Sequence, residues 1–208
     1  DTENILSSVL DRYDQAFQKD STLDKMGTTL AGFSVVGNEL RAMHIGDSRI
    51  YVFGGNGKIK YISKDNSIIQ LKIDEMVQTG IFLEKINKFE SEFLGKNLIS
   101  ECIREGMGIE EEIHTGLVKI DQNTQLTNEG RIVTIGKSTE LDVVNLESGD
   151  IVLTCSDGLN DELTQQEIEE LVRKYSGNPT QLAEALKKQA LENGGRDNIT
   201  MILYKHGK

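Results

Sequence analysis

Thr154-Cys155-Ser156-Asp157-Gly158-Leu159-Asn160-Asp161 follows the apolar run Ile151-Val152-Leu153, which has the turn residues Ser148-Gly149-Asp150 before it. A short, β-branched apolar run behind a turn reads as a buried strand. The strand delivers Asp157 at its end. Gly158 follows at once, where the backbone must turn sharply or approach another group closely. A carboxylate at the mouth of a buried strand suits a hard cation such as Mg²⁺, which prefers oxygen ligands. Taken alone, the motif reads first as a turn cap.

The pattern recurs. Gly194-Gly195-Arg196-Asp197-Asn198 stands just before the apolar run Ile199 to Leu203, and Gly46-Asp47 lies between Met43-His44-Ile45 and Ile50-Tyr51-Val52. Three aspartates, each at a strand end beside a glycine or turn, can converge on one oxygen-lined site. Asp47, Asp157 and Asp197 are therefore the candidate metal ligands.

The chain has 208 residues, 37% apolar and 27% charged, which predicts a soluble globular protein with one sizeable domain, or at most two small ones. A net charge of −11 argues against nucleic acid as a partner, because phosphate binding needs basic surface. The two cysteines, Cys102 and Cys155, make neither a disulfide framework nor a zinc spacing, so the expected setting is a reduced cytoplasm. No run has the length of a membrane span and no signal peptide is expected. There is no Gly-x-x-x-x-Gly-Lys-Ser/Thr phosphate loop, no His-Glu-x-x-His and no Gly-x-Ser-x-Gly elbow. His44, on a strand, reads as a packing residue, and His114 and His206 as surface residues. Ser156 reads as a turn residue and Cys155 as a small buried strand residue.

Taken in order, residues 3–19 carry Ile5, Leu6, Val9, Leu10, Tyr13, Ala16 and Phe17 at helical spacing. Four strands are expected next, from Met26 to Val36, Glu39 to Ile45, Ser48 to Phe53 and Lys58 to Ile62. Tight turns join them into an antiparallel meander. The pattern blurs from Asn66 to about Glu129, with strands suggested at Ile113–Ile120 and Arg131–Ile135. A capping box, Thr164 with Glu167, opens a helix over 164–174. Thr180 is the candidate cap of a last helix that closes at Asn193-Gly194-Gly195. The final strand is expected over Ile199–Tyr204.

Gly27-Thr28-Thr29, His44-Ile45-Gly46-Asp47-Ser48-Arg49, Ser63-Lys64-Asp65-Asn66-Ser67, Cys155-Ser156-Asp157-Gly158-Leu159 and Gly195-Arg196-Asp197-Asn198-Ile199-Thr200 form an ordered set. In that order the chain resembles the metal-dependent Ser/Thr phosphatases of the protein phosphatase 2C family. Asn66 stands where the family usually has His. The resemblance covers most of the chain and implies one α+β domain over 1–208, with a flap or insertion region at about 66–130. It implies a four-layer α-β-β-α sandwich, two mainly antiparallel sheets flanked by helices.

The resemblance also implies two Mg²⁺ or Mn²⁺ ions, with a third weaker one. It implies a phosphorylated protein as substrate and a metal-bound water as the nucleophile, so no side chain is the catalytic group. Carried over by position, Asp157 and Asp197 match ligands of the first metal and Asp47 a ligand of the third. Gly158 and Asn198 support the site, Asn198 through side-chain hydrogen bonds. Thr28 and Thr29 are structural. Arg49 is expected to pack or pair structurally rather than bind phosphate.

One departure stands out. The family's opening Asp-Gly-x-x-Gly, whose Asp bridges both catalytic metals, has no counterpart, because the sequence's one Asp-Gly is Asp157-Gly158. The expectation is a piece of a complete phosphatase whose opening segment lies outside this sequence. The alternative is a non-catalytic, phosphatase-like binding module.

Overall fold

The computed structural model describes residues 28–65, 125–126, 132–135 and 142–207, together with Arg12, Gln15, Ala16, Lys19 and Asp20. Arg12, Gln15, Ala16 and Lys19 are helical and exposed, and the Asp20 N–H donates to the Ala16 carbonyl at 3.1 Å. The rest of the helix expected over 3–19 lies outside the described residues. So do His114, Cys102, the strand expected at Ile113–Ile120 and nearly all of the 66–130 region.

Among the described residues, two sheets form the frame. The first has three strands in the order β1-β2-β7: β1 is Leu30–Val36, β2 Glu39–Ile45 and β7 Asp142–Asn145. The second has six in the order β5-β6-β4-β3-β8-β9. Its strands are β3 Arg49–Phe53, β4 Ile59–Ile62, β5 Gln125–Leu126, β6 Ile132–Ile135, β8 Ile151–Cys155 and β9 Met201–Lys205. All pairings are antiparallel except β4 with β6. Among residues 142–207 three helices follow: α1 Asp157–Asn160, α2 Gln165–Tyr175 and α3 Pro179–Asn193.

Side-chain alternation along the central strands sorts the core into two layers, because successive strand residues face opposite ways. On β3, Ile50 and Val52 join Leu40, Ala42, Tyr61, Leu146 and Val152 in one buried cluster, against which Ala31, Phe33 and Val35 of β1 pack. That cluster fills the space between the sheets. Tyr51 and Phe53 point the other way, with Ile151, Leu153 and Cys155 of β8, onto Ile168 and Val172 of α2 and Leu182, Leu186 and Ala190 of α3. The described residues therefore build three layers of the expected sandwich, sheet, sheet and helices.

The predicted four-strand meander needs correction. β1 and β2 form a hairpin in the first sheet, and β3 and β4 a hairpin in the second. The chain changes sheet at Gly46-Asp47-Ser48. Gly46 makes the corner at φ +98°, and a Cβ there would overlap the Thr29 side chain. The Thr29 and Ser48 hydroxyls hydrogen-bond at 2.9 Å across it. Local turn signals fix a hairpin but not which sheet the next strand joins, because that choice rests on distant partners.

Helix ends follow their caps. Thr164 and Glu167 form the predicted capping box. Asn178, not Thr180, caps α3: its Oδ1 accepts from the main-chain N–H groups of Thr180 at 3.1 Å and Gln181 at 3.2 Å. Pro179 then occupies the first turn, where its missing N–H costs nothing. His206 is also corrected. It is buried against Tyr204 and Asn38, with ring nitrogens 3.1 Å from the Tyr204 hydroxyl and 3.3 Å from Asn38 Oδ1. Among the described residues no helix is long and apolar enough to cross a membrane.

Candidate metal centre

Register brings the aspartates to one end of the six-stranded sheet. Arg49 on β3 pairs with Cys155 on β8. Asp47 stands two residues before Arg49 and Asp157 two residues after Cys155, and the charge of Asp157 acts on the Asp47 carboxyl. Cys155 also pairs with Met201 on β9, and the Ser156 N–H donates to the Thr200 carbonyl at 3.0 Å. Asp197 therefore arrives beside the same end from the loop between α3 and β9.

Each segment is fixed locally. Leu159, fully buried, anchors the single turn of α1 in the core. Asp157 Oδ1 accepts from the Gly158 main-chain N–H at 2.8 Å, and Asp197 Oδ1 from that of Asn198 at 2.7 Å. Both carboxylates are thus oriented by the next residue's amide through a single oxygen. The main chain of Asn198 makes this bond, where side-chain hydrogen bonds were expected. The Asn198 carbonyl also accepts from Ser156 Oγ at 3.1 Å, and the same Oγ accepts from the Thr200 N–H at 3.1 Å. Ser156 does more than turn the chain: it joins the β8 exit to the Asp197 loop.

Gly158 is where the two aspartate segments touch. A Cβ on it would overlap the Asn198 carbonyl oxygen and sit 3.0 Å from the Asn198 carbonyl carbon. These are main-chain atoms and cannot rotate away. Gly158→Ala is therefore expected to push the segments apart and cost about 1–3 kcal/mol. Denaturant unfolding of the variant against wild type measures that loss.

Asp47 is half-buried. Burial first, then the like charge of Asp157, push its carboxyl up to about 6. Carboxylates held close together in this way favour a cation between them. The donors are all carboxylate oxygens, which fits Mg²⁺ or Mn²⁺ in kind. Among the described residues no three His, Cys, Asp or Glu side chains close on one point. Asp47, Asp157 and Asp197 therefore lie at one sheet end without closing on one point.

Behind the aspartates lies a polar bracket. Arg49 forks onto Asp65, with Nε to Oδ1 at 2.7 Å and Nη2 to Oδ2 at 2.6 Å. Its Nη1 lies 3.4 Å from the Tyr51 hydroxyl, which donates to Asn160 Oδ1 at 2.9 Å. Arg49 is thus committed to Asp65, in keeping with a structural role. Cys155 is a buried free thiol, and burial pushes it up to about 12, which leaves it inert at neutral pH.

His44 is buried, and its Nε2 hydrogen-bonds the Lys64 carbonyl. Burial lowers its pKa below 6.5. The unfolded chain then takes up a proton near pH 6.5 that the folded imidazole refuses. Stability is expected to fall as pH drops below 6.5, with no contribution from this group above it. Thermal unfolding between pH 8 and 5 checks this, and His44→Gln removes the share due to the ring.

Residues 2–193 match the family model described as protein phosphatase 2C. The chain belongs to the protein phosphatase 2C family. It is 29% identical over 183 residues to the serine/threonine protein phosphatase PstP of Mycobacterium tuberculosis, covering 87% of this chain and 28% of that protein. It is 26% identical over 189 residues to the serine/threonine phosphatase stp of Listeria monocytogenes, covering 90% of this chain and 60% of that protein. The chain therefore spans less than two thirds of these relatives. The crystal structure of M. tuberculosis PstP superposes with a TM-score of 0.63 at 25% identity, over 96% of this chain and 68% of that one. The PstP catalytic domain in complex with two manganese ions superposes with a TM-score of 0.61 at 23% identity, over 93% of this chain and 65% of that one. These likenesses agree with the α+β sandwich built here.

Sequence reasoning named the three aspartates, gave Asp65 and Ser156 no part in holding the segments around them, and did not single out Glu162. Glu162 is buried and bound to Arg196, whose side-chain and main-chain hydrogen bonds, and then its charge, keep the carboxyl below the usual carboxylate range. Its partner lies 34 positions away in sequence, and no local pattern announces such a pair.

Proposed function

We propose that this chain is the metal-binding core of a Mg²⁺- or Mn²⁺-dependent protein phosphatase acting on phosphoserine and phosphothreonine. The observation that carries the reading is the delivery of Asp47, Asp157 and Asp197 to one sheet end in a protein phosphatase 2C chain. Asp157 and Asp197 would hold the cation, and Asp47 a further ion beside Asp157. Gly158 lets the two ligand segments meet, and the Asn198 amide aims Asp197. When bound, such ions make water acidic enough to attack phosphorus at neutral pH and neutralise charge on the phosphoryl oxygens. The protein side chains bind, orient and position, and none of them takes a covalent role. The partner is a phosphorylated protein, and a cytoplasmic location agrees with the buried free thiol of Cys155.

The reading is tested by hydrolysis of p-nitrophenyl phosphate and a phosphothreonine peptide with Mn²⁺, Mg²⁺ or EDTA. Both this chain and a longer protein containing it are assayed. Metal-dependent hydrolysis lost in EDTA supports the reading, whichever of the two shows it. Folded protein that hydrolyses neither substrate in either form overturns it.

A further inference from the structure

We propose that Glu162 is a positioning residue for the metal site, holding the loop that carries Asp197 in place against the turn that carries Asp157. The inference rests on Asp157 and Asp197 being metal ligands. Glu162 lies just beyond α1, and its side chain is 2% exposed. A carboxylate so withdrawn from water needs donors. Arg196, the residue before Asp197, supplies both: its main-chain N–H reaches Glu162 Oε1 at 3.1 Å and its Nε reaches the same oxygen at 2.8 Å. Two further bonds close the junction. Arg196 Nη2 donates to the Asp161 carbonyl at 3.3 Å, and Asn193 Nδ2 to the Glu162 carbonyl at 2.7 Å. Glu162 Oε2 lies 2.8 Å from where a Cβ on Gly194 would stand. The loop backbone is built around this carboxylate.

Asp197 therefore sits between two fasteners. Ser156 fixes the loop on the 198–200 side, and Glu162 fixes it on the 194–196 side. The two parts of the Glu162–Arg196 contact differ in consequence. The Arg196 side chain is 70% exposed, so its charge is screened by water. The main-chain bond constrains the backbone next to Asp197 directly. Metal ligands need placement within about 0.5 Å, and loss of a supporting partner typically costs about 10–100-fold in metal affinity.

The test is calorimetric titration with Mn²⁺ alone, far below the melting temperature, on the full-length protein that carries this chain. Wild type is compared with Asp157→Ala, Glu162→Ala, Glu162→Gln and Arg196→Ala, and amide exchange is followed over residues 194–200. Glu162→Ala is expected to weaken Mn²⁺ binding about 10–100-fold and speed that exchange. Its turnover should recover when Mn²⁺ is raised. Glu162→Gln should restore most of the affinity, because its amide oxygen still accepts the main-chain N–H. Arg196→Ala should stay within about threefold of wild type. If Glu162→Ala does not fold, Glu162→Asp replaces it: the shorter side chain withdraws the carboxylate from the Arg196 main-chain N–H and should weaken Mn²⁺ in the same direction. Asp157→Ala without binding beside Glu162→Ala (or its Glu162→Asp replacement) with wild-type affinity makes Glu162 merely structural and overturns the proposal. An Arg196→Ala loss as large as that of Glu162→Ala overturns it too, since the guanidinium would then be the fastener. Wild-type Mn²⁺ affinity in Asp157→Ala overturns the metal-site reading itself.

Discussion

Asp157→Ala and Asp197→Ala should each lower metal-dependent phosphatase turnover on the order of 10³-fold while the protein stays folded. The reason is geometric. Each carboxylate accepts one amide hydrogen bond through one oxygen, at 2.8 Å for Asp157 and 2.7 Å for Asp197. Neither carries a core contact, so truncation leaves the sandwich intact. Asp157 also burdens the metal-free fold, because its charge helps push Asp47 up to about 6. Removing it relieves that repulsion. The metal-free melting temperature of Asp157→Ala should therefore match or slightly exceed wild type, and the Asp47 carboxyl should titrate lower. Carbon-detected NMR of that carboxyl reports the shift without any assay of activity. Wild-type turnover in either variant would remove the assigned ligands from the reaction.

Asp197→Ala probes the other segment. Asp197 is exposed and lies outside the Asp47–Asp157 pair. Its loss should leave the Asp47 titration near its wild-type position while turnover still falls. The two variants thus share an activity loss and differ in their electrostatic signature, which separates shared ligation from general disruption of the sheet end.

Much of this was legible because the signals are local. Ile151-Val152-Leu153 announces a buried strand by composition, and β8 is buried at every position. Thr164 with Glu167 announces a helix start by spacing, and both halves of the capping box form. Gly-Asp and Asp-Gly pairs announce turns at strand ends. Other features depend on residues distant in sequence. The sheet change at Gly46-Asp47-Ser48 follows from where β7 and β8 lie, because β2 pairs with β7 and β3 with β8. β7 itself escaped prediction: Asp142-Val143-Val144-Asn145 is four residues long and exposed at alternate positions. His206 near the chain end carries no sequence sign of burial, yet Asn38 and Tyr204 enclose it. The Asp197 loop reads as a glycine turn, but Ser156 and Glu162 hold it, from 41 and 35 residues upstream by numbering.

Arg49→Met should destabilise the fold by about 3 kcal/mol, the cost of leaving a buried charge without its partner. Asp65 is the stranded group: its side chain is 12% exposed, and both its oxygens are held by Arg49. Tyr51 loses its guanidinium neighbour as well, although its bond to Asn160 survives. The double variant Arg49→Met/Asp65→Leu should recover much of the loss, since an apolar pair of similar volume carries no desolvation penalty. Denaturant unfolding of the wild type, both single variants and the double gives the coupling directly. The same variants decide what Arg49 does. A phosphate-binding arginine, when removed, would raise KM for a phosphopeptide and leave stability unchanged. A residue spent on Asp65 does the reverse: stability falls, and KM, measured where the variant is fully folded at saturating Mn²⁺, stays near wild type. The fork onto Asp65 leaves that guanidinium engaged on its carboxylate side and facing Tyr51 on the other, so the second pattern is expected.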